Sequence, residues 1–146
     1  MKSIAVLSLA IAALAVAGCS EKNTLGTVKI AGQVLVDGEP MDGITVTFRP
    51  RGNGKLSGVG RTDAKGQFAL TTGGAPVNSG VVPGEYDVIF YKVSYDDASG
   101  SGGRVPPKPK YLILPKYENP RSSGIEPVTV VNGKNSPFNF ELLSKE

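Results

Sequence analysis

The chain has one cysteine, Cys19, and neither histidine nor tryptophan among its 146 residues. A lone thiol cannot close an internal disulfide. Without histidine there can be no histidine-based triad, histidine metal site or histidine haem ligand. Cys19 comes directly after Val16-Ala17-Gly18. That triplet ends an apolar run from Ile4 to Ala17, broken only by Ser8 and preceded by the positive Lys2. A basic start, a short apolar core and small residues at the end describe a secretory signal, here residues 1–18. As a helix rising 1.5 Å per residue, the run spans about 21 Å. That is short of the ~30 Å hydrocarbon core of a bilayer.

Val16-Ala17-Gly18-Cys19 resembles the bacterial lipobox. The resemblance implies that the Cys19 thiol takes up diacylglycerol, that a peptidase cuts between Gly18 and Cys19, and that the new amine is acylated. At about 0.8 kcal/mol per buried CH₂, two or three such chains hold a protein to a membrane. Asp in the place of Ser20 is the inner-membrane retention signal of well-studied lipoproteins, so Ser20 favours the outer membrane of the bacterial cell envelope. The anchor region, residues 19–26, then comprises the lipidated Cys19 and a polar tether, Ser20 to Gly26. As flexible coil the tether reaches about 15 Å, which keeps the folded part close to the bilayer.

A second group of reactive side chains lies far along the chain. Arg104, Lys108, Lys110, Lys116 and Arg121 are five positive charges interleaved with Tyr111 and Tyr117, against Glu118 alone. A Gly/Ser-rich stretch leads into them through Pro106-Pro107-Lys108-Pro109, which favours extended polyproline-II structure. Residues 96–110 are expected to be a flexible loop. Cation and phenol together suit an anionic polysaccharide, a lipid headgroup or an envelope protein. The formal net charge of +3 is too small to point to nucleic acid.

Other constellations are weaker. Asp63 with Gly66 has the outline of a calcium loop, but Lys65 takes the next alternating ligand place and opposes a cation, so a turn is expected. Asp96-Asp97 lies beside Ser99 and Ser101 and reads as a solvated loop. Lys29, Asn139 and Glu85 or Asp87 are the residue types of an internal isopeptide bond. Lys29 falls off the Val28/Ile30 face, and Asn139 falls between Phe138 and Phe140, so both are expected in solvent. No Ser-x-x-Lys or nucleophile-elbow motif has supporting context. No metal and no cofactor is expected.

The elements that must carry these residues are strands. No stretch after Cys19 keeps a 3.6 period, while short alternating runs recur between turn residues. Thr27 to Val36 puts Val28, Ile30, Val34 and Val36 on one face, with Gly32 between them. Ile44 to Arg49 sends Ile44, Val46 and Phe48 inward. Ser57 to Thr62 is a weak strand, and Gln67 to Thr71 points Phe68 and Leu70 inward. Glu85 to Ser94 is apolar on both faces, as a central strand or one with a covered outer face would be. Glu126 to Val131 and Pro137 to Leu143 complete the set, with Val128, Val130, Phe138, Phe140 and Leu142 as core candidates. Asp37-Gly38 and Asn132-Gly133 supply positive φ for hairpins. The expectation is all-β: a single antiparallel sandwich of about seven strands over residues 27–143.

The order of motifs adds a resemblance. Gly32-x-Val34, Asp37-Gly38-x-Pro40, Gly43-Ile44-x-Val46-x-Phe48, Thr62-Asp63-x-x-Gly66-x-Phe68 and Pro83-Gly84-x-Tyr86-x-Val88 resemble carboxypeptidase regulatory-like, or transthyretin-like, domains. The tail, Leu114-Pro115-Lys116-Tyr117-x-x-Pro120-x-x-Ser123-Gly124-Ile125 with Gly133-x-Asn135 and Phe138-x-Phe140-x-Leu142, is similar to small lipoproteins of planctomycete-type bacteria. The resemblance implies a transthyretin-like, Ig-like sandwich and carries almost no biochemistry. The transthyretin-related hydrolases of 5-hydroxyisourate use catalytic histidines and a Tyr-Arg-Gly-Ser tail. This chain lacks both and ends Leu143-Ser144-Lys145-Glu146. The leading expectation is a non-catalytic, lipid-anchored envelope protein with a structural, adhesive or accessory role. A binding module for an anionic glycan or peptide through residues 104–121 comes second, and an enzyme third.

Overall fold

The structure is a computed structural model and describes residues 22–53, 55–95 and 108–145. In chain order the strands are β1 (Ala31–Val36), β2 (Glu39–Pro40), β3 (Thr45–Pro50), β4 (Gly58–Arg61), β5 (Gln67–Ala69), β6 (Thr71–Thr72), β7 (Gly84–Tyr91), β8 (Val93–Tyr95), β9 (Pro109–Tyr111), β10 (Val128–Val130) and β11 (Phe138–Leu142). A 3₁₀ turn (Pro115–Glu118) and a single helical turn, α1 (Pro120–Ser123), fall between β9 and β10.

Two sheets face each other. In the first, β1 is central. It pairs with β11 on one side and with β5 and β2 on the other. The second runs β10-β7-β3-β4-β6, and β8 with β9 forms a separate two-stranded ribbon. The all-β sandwich expected from the alternating runs is therefore present. Among the described residues every strand pair is antiparallel except β1 with β11, which run parallel from Gly32↔Phe138 to Val36↔Leu142. Parallel neighbours need a long crossover, and here the rest of the domain supplies it.

The alternation works as read. Ile44, Val46 and Phe48 on β3 and Tyr86, Val88 and Phe90 on β7 are buried, and face Ile30, Val34, Val36, Phe68 and Leu142 across the sandwich. Phe48 is the hub. Its ring centroid lies 6.4 Å from Phe68, 6.0 Å from Tyr86, 5.6 Å from Phe138 and 6.4 Å from Phe140. Tilted and edge-on rings at such separations are the favoured aromatic geometry. Tyr86 is buried, yet its hydroxyl donates to the Val82 carbonyl at 2.6 Å. This phenol-to-backbone bond near the start of a strand has the form of the tyrosine corner seen in sandwiches. Burial raises the Tyr86 phenol above its ordinary range. The neutral phenol thus favours the fold below about pH 10, and that contribution fades as pH climbs higher.

Several strand boundaries differ from the alternation, each for a physical reason. The first strand begins at Ala31, and before it Val28 makes only an isolated bridge to Val81. The run expected from Gln67 to Thr71 divides at Leu70 and extends to Thr72, because the chain there passes from β1 of one sheet to β4 of the other. The long run after Glu85 divides at Lys92. Tyr91 pairs with Thr45, the first residue of β3, and past it the strand has no neighbour. β8 then pairs with β9 instead.

The turns follow their chemistry. Asp37 and Gly38, at φ 54° and 86°, close the β1–β2 hairpin. Asn132-Gly133 has the expected positive φ at Gly133 but is not a hairpin, since β10 and β11 belong to different sheets. At the other marked turn, Asp63 Oδ1 accepts from the Lys65 and Gln67 amides at 2.8 and 2.9 Å. Gly66 sits at φ 70°, and a Cβ there would overlap the Val34 carbonyl oxygen. The Asp63 carboxylate is thus the brace of a turn. The residue types of an isopeptide bond are not assembled: Lys29, Asn139 and Glu85 are exposed, and Asp87 faces Arg49 and Arg51 at 3.8 and 3.4 Å.

Candidate functional site

The basic, tyrosine-containing segment is divided by the fold. Lys110 and Tyr111 lie on β9, where Tyr111 is opposite Val93, Lys110 opposite Ser94 and Pro109 opposite Tyr95. The expected flexible loop 96–110 therefore ends in a strand: antiparallel pairing with β8 orders Pro109 and Lys110. Lys108 is exposed just before the strand. Arg104, Pro106, Pro107 and Asp96-Asp97 lie outside the described residues, as do Gly18 and Cys19.

Lys116 and Arg121 occupy the short turns that follow. The Lys116 ammonium sits 5.4 Å from the Tyr117 ring centroid, and the Arg121 amide donates to Asn119 Oδ1 at 3.0 Å. Tyr117 is no surface contact. It is 4% exposed, its ring stands edge-on to Phe90 at 6.5 Å, and its hydroxyl accepts the Leu143 amide at 3.1 Å. Its phenol joins the segment after β9 to the end of β11, which makes it a core residue.

In its place the fold supplies other aromatics. Tyr91, Tyr95 and Tyr111 are 40%, 58% and 44% exposed around the ribbon. Hydrogen bonding to Tyr95 is the main reason the Tyr91 phenol lies above its ordinary range, with smaller pushes from partial burial and neighbouring acids. Beside them is a hollow of about 230 Å³ lined by Gly43, Thr45, Arg61, Tyr91, Lys92, Val93 and Tyr95. Lys92 is held there by Asp42, donating to its carbonyl and facing its carboxylate at 3.5 Å. Arg61 extends from β4, where it pairs with Thr45. Compared with known proteins, the chain matches no family model, no curated protein and no solved structure.

The ribbon and the start of the domain lie at opposite ends of the sandwich. Lys22 lies beside the turn at Gly74, Ala75 and Pro76, and Val28 bridges Val81, just before β7. β7 then runs eight residues from Gly84 to Tyr91 and delivers the chain to the ribbon. At ~3.3 Å per residue the two poles are about 25 Å apart. The expected tether is also shorter than its sequence suggests. Asn23 donates to the Thr27 carbonyl at 2.7 Å and accepts from the Thr27 amide and hydroxyl at 3.2 and 3.0 Å, so the chain is tied to the fold from Asn23 onward.

A larger groove lies elsewhere, on the outer face of the first sheet. It measures about 850 Å³. Its floor carries Asn139, Gln33 and Gln67 side by side on β11, β1 and β5, because Gln33 pairs with both of the others. Val59, Arg61 and Thr71 from β4 and β6 form a wall. Alternation marks each of these residues as outward-facing. Their juxtaposition depends on strand register, which a single sequence does not display. Among the described residues no group of three or more His, Cys, Asp or Glu side chains could hold a metal ion, and no helix is long and apolar enough to cross a membrane.

Proposed function

We propose that this protein is a non-catalytic, lipid-anchored β-sandwich of the bacterial cell envelope, held to the outer membrane through Cys19 and serving a structural, adhesive or accessory role. The observation that carries this reading is the polarity of the domain. The chain enters at the Gly74–Pro76 pole, and the exposed tyrosines stand about 25 Å away at the other. An anchor at Cys19 puts the entry pole against the lipid and the aromatic ribbon toward whatever lies beyond. Asp63, which has the outline of a calcium ligand in the sequence, instead braces its own turn. The lone thiol is expected to be acylated.

Cys19→Ala is expected to abolish incorporation of a clickable fatty acid and to leave unprocessed precursor or a product released from the membrane. Equal labelling of the two proteins would defeat the anchor.

A second reading is favoured by the ribbon itself: a binding module for an anionic glycan or peptide. Tyr95 and Tyr111 offer exposed ring faces, and Lys108, Lys110 and Arg61 offer charge beside them. Replacing Arg61, Lys108 and Lys110 with Gln should weaken attachment to isolated envelopes. It should change stability by under about 0.5 kcal/mol per site, as exposed substitutions usually do. Attachment of the unaltered protein should also weaken as salt rises, because exposed charges are screened. Salt-independent attachment that survives the triple change would remove this reading.

A further inference from the structure

The groove on the first sheet lies apart from the proposed anchor and has Arg61 in common with the hollow beside the ribbon, but its chemistry is different. Asn139, Gln33 and Gln67 form a row across three strands. Neighbouring strands lie ~4.8 Å apart, so the three side chains leave the sheet at about that interval. Each amide both donates and accepts. Gln33 Nε2 donates to the Lys65 carbonyl at 2.9 Å, which fixes that amide and leaves its oxygen to accept. The next row on the same face is small and apolar: Ala31 pairs with Ala69, and Pro137 begins the β11 side of the groove. Among the described residues the charged ones in the lining are Arg61, whose guanidinium reaches toward Gly43 and Lys92, and Asp63, whose carboxylate braces its own turn.

We propose that this groove binds a neutral oligosaccharide. A sugar ring has a rim of hydroxyls that donate and accept, and an apolar face of C–H groups. The amide row matches the rim, and the hollow over Ala31 and Ala69 matches the face. With one charge turned toward the ribbon and the other held in its turn, an anionic chain has no advantage. An added peptide strand would need a free ladder along a strand edge. The amide row instead crosses three strands that are already paired with one another. At about 850 Å³ the groove falls within the ~300–1,000 Å³ typical of ligand sites.

The test uses the full-length protein in a zwitterionic detergent that carries no sugar headgroup. Chitotriose, cellotriose and maltotriose are titrated by calorimetry at low and high salt. At least one is expected to bind saturably, with an affinity that salt does not change. Gln67→Ala combined with Asn139→Ala should weaken it about tenfold, as the loss of two hydrogen bonds predicts. Both side chains are exposed, so the melting temperature should be unaltered. Ala31→Leu, which fills the hollow from a second exposed position, should abolish binding independently. The proposal is overturned if none of the three sugars binds at millimolar concentration. It is equally overturned if binding persists unchanged in both variants, or fades with salt as an ionic contact would.

Discussion

Phe48→Ala is expected to cost about 3–5 kcal/mol, a large part of the ~5–15 kcal/mol by which a domain of this size is stable. Phe48 is fully buried on β3, with four aromatic rings within 6.4 Å of its own. Those rings come from both sheets: Tyr86 from β7, Phe68 from β5, and Phe138 and Phe140 from β11. Truncation opens a cavity at the point where the layers meet, and rings held by paired strands have little freedom to collapse into it. Gln67→Ala provides the contrast. It sits beside Phe68 but points outward into the groove, and should cost under about 0.5 kcal/mol. Urea unfolding of the two variants decides the matter. Equal losses would mean that the inward and outward faces are misassigned.

Gly32→Ala is expected to be worse, with loss of cooperative unfolding altogether. Gly32 is buried in β1, opposite Phe138 of β11 and Phe68 of β5. A methyl group there would overlap the Phe138 carbonyl oxygen and lie 2.8 Å from a ring carbon of Phe68. The obstruction includes backbone, so no rotamer change relieves it. The strand that must move is the parallel partner closing the first sheet. Gly38→Ala separates this steric effect from backbone strain. Gly38 has φ 86° but nothing within 4 Å of the added methyl, so the cost there should be only the ~1–2 kcal/mol of a left-handed residue. Far-ultraviolet circular dichroism during urea titration distinguishes the two. A sharp, near-normal transition for Gly32→Ala would show that β1 and β11 are not this close.

The sandwich was legible because its signals are local. Ile44, Val46 and Phe48 alternate within one strand, and Asp63 with Gly66 defines a turn within four residues. What depends on distant pairing was not legible. Tyr117 sits among Pro, Lys and Glu in no alternating run, so it resembles a surface aromatic. It is buried because the Leu143 amide and the Phe90 ring meet it from elsewhere in the chain. The ribbon was hidden for the same reason, since Val93 to Tyr95 finds its partner only after the whole segment that precedes Pro109. Arg61 and Lys92 join the tyrosines through the register of β4, β3 and β7. The row of amides needs two registers at once. In each case the residue type was readable, while the neighbours that decide its surroundings were not.

The proposed function rests on which pole faces the lipid. The most direct measurement places a photoreactive residue at Ala75 or at Tyr95 in living cells, irradiates, and identifies the adducts by mass spectrometry. Lipid adducts are expected at Ala75, beside the entry of the chain. A non-lipid envelope component, protein or polysaccharide, is expected at Tyr95 on the far ribbon. Lipid adducts at Tyr95 with none at Ala75 would contradict this orientation.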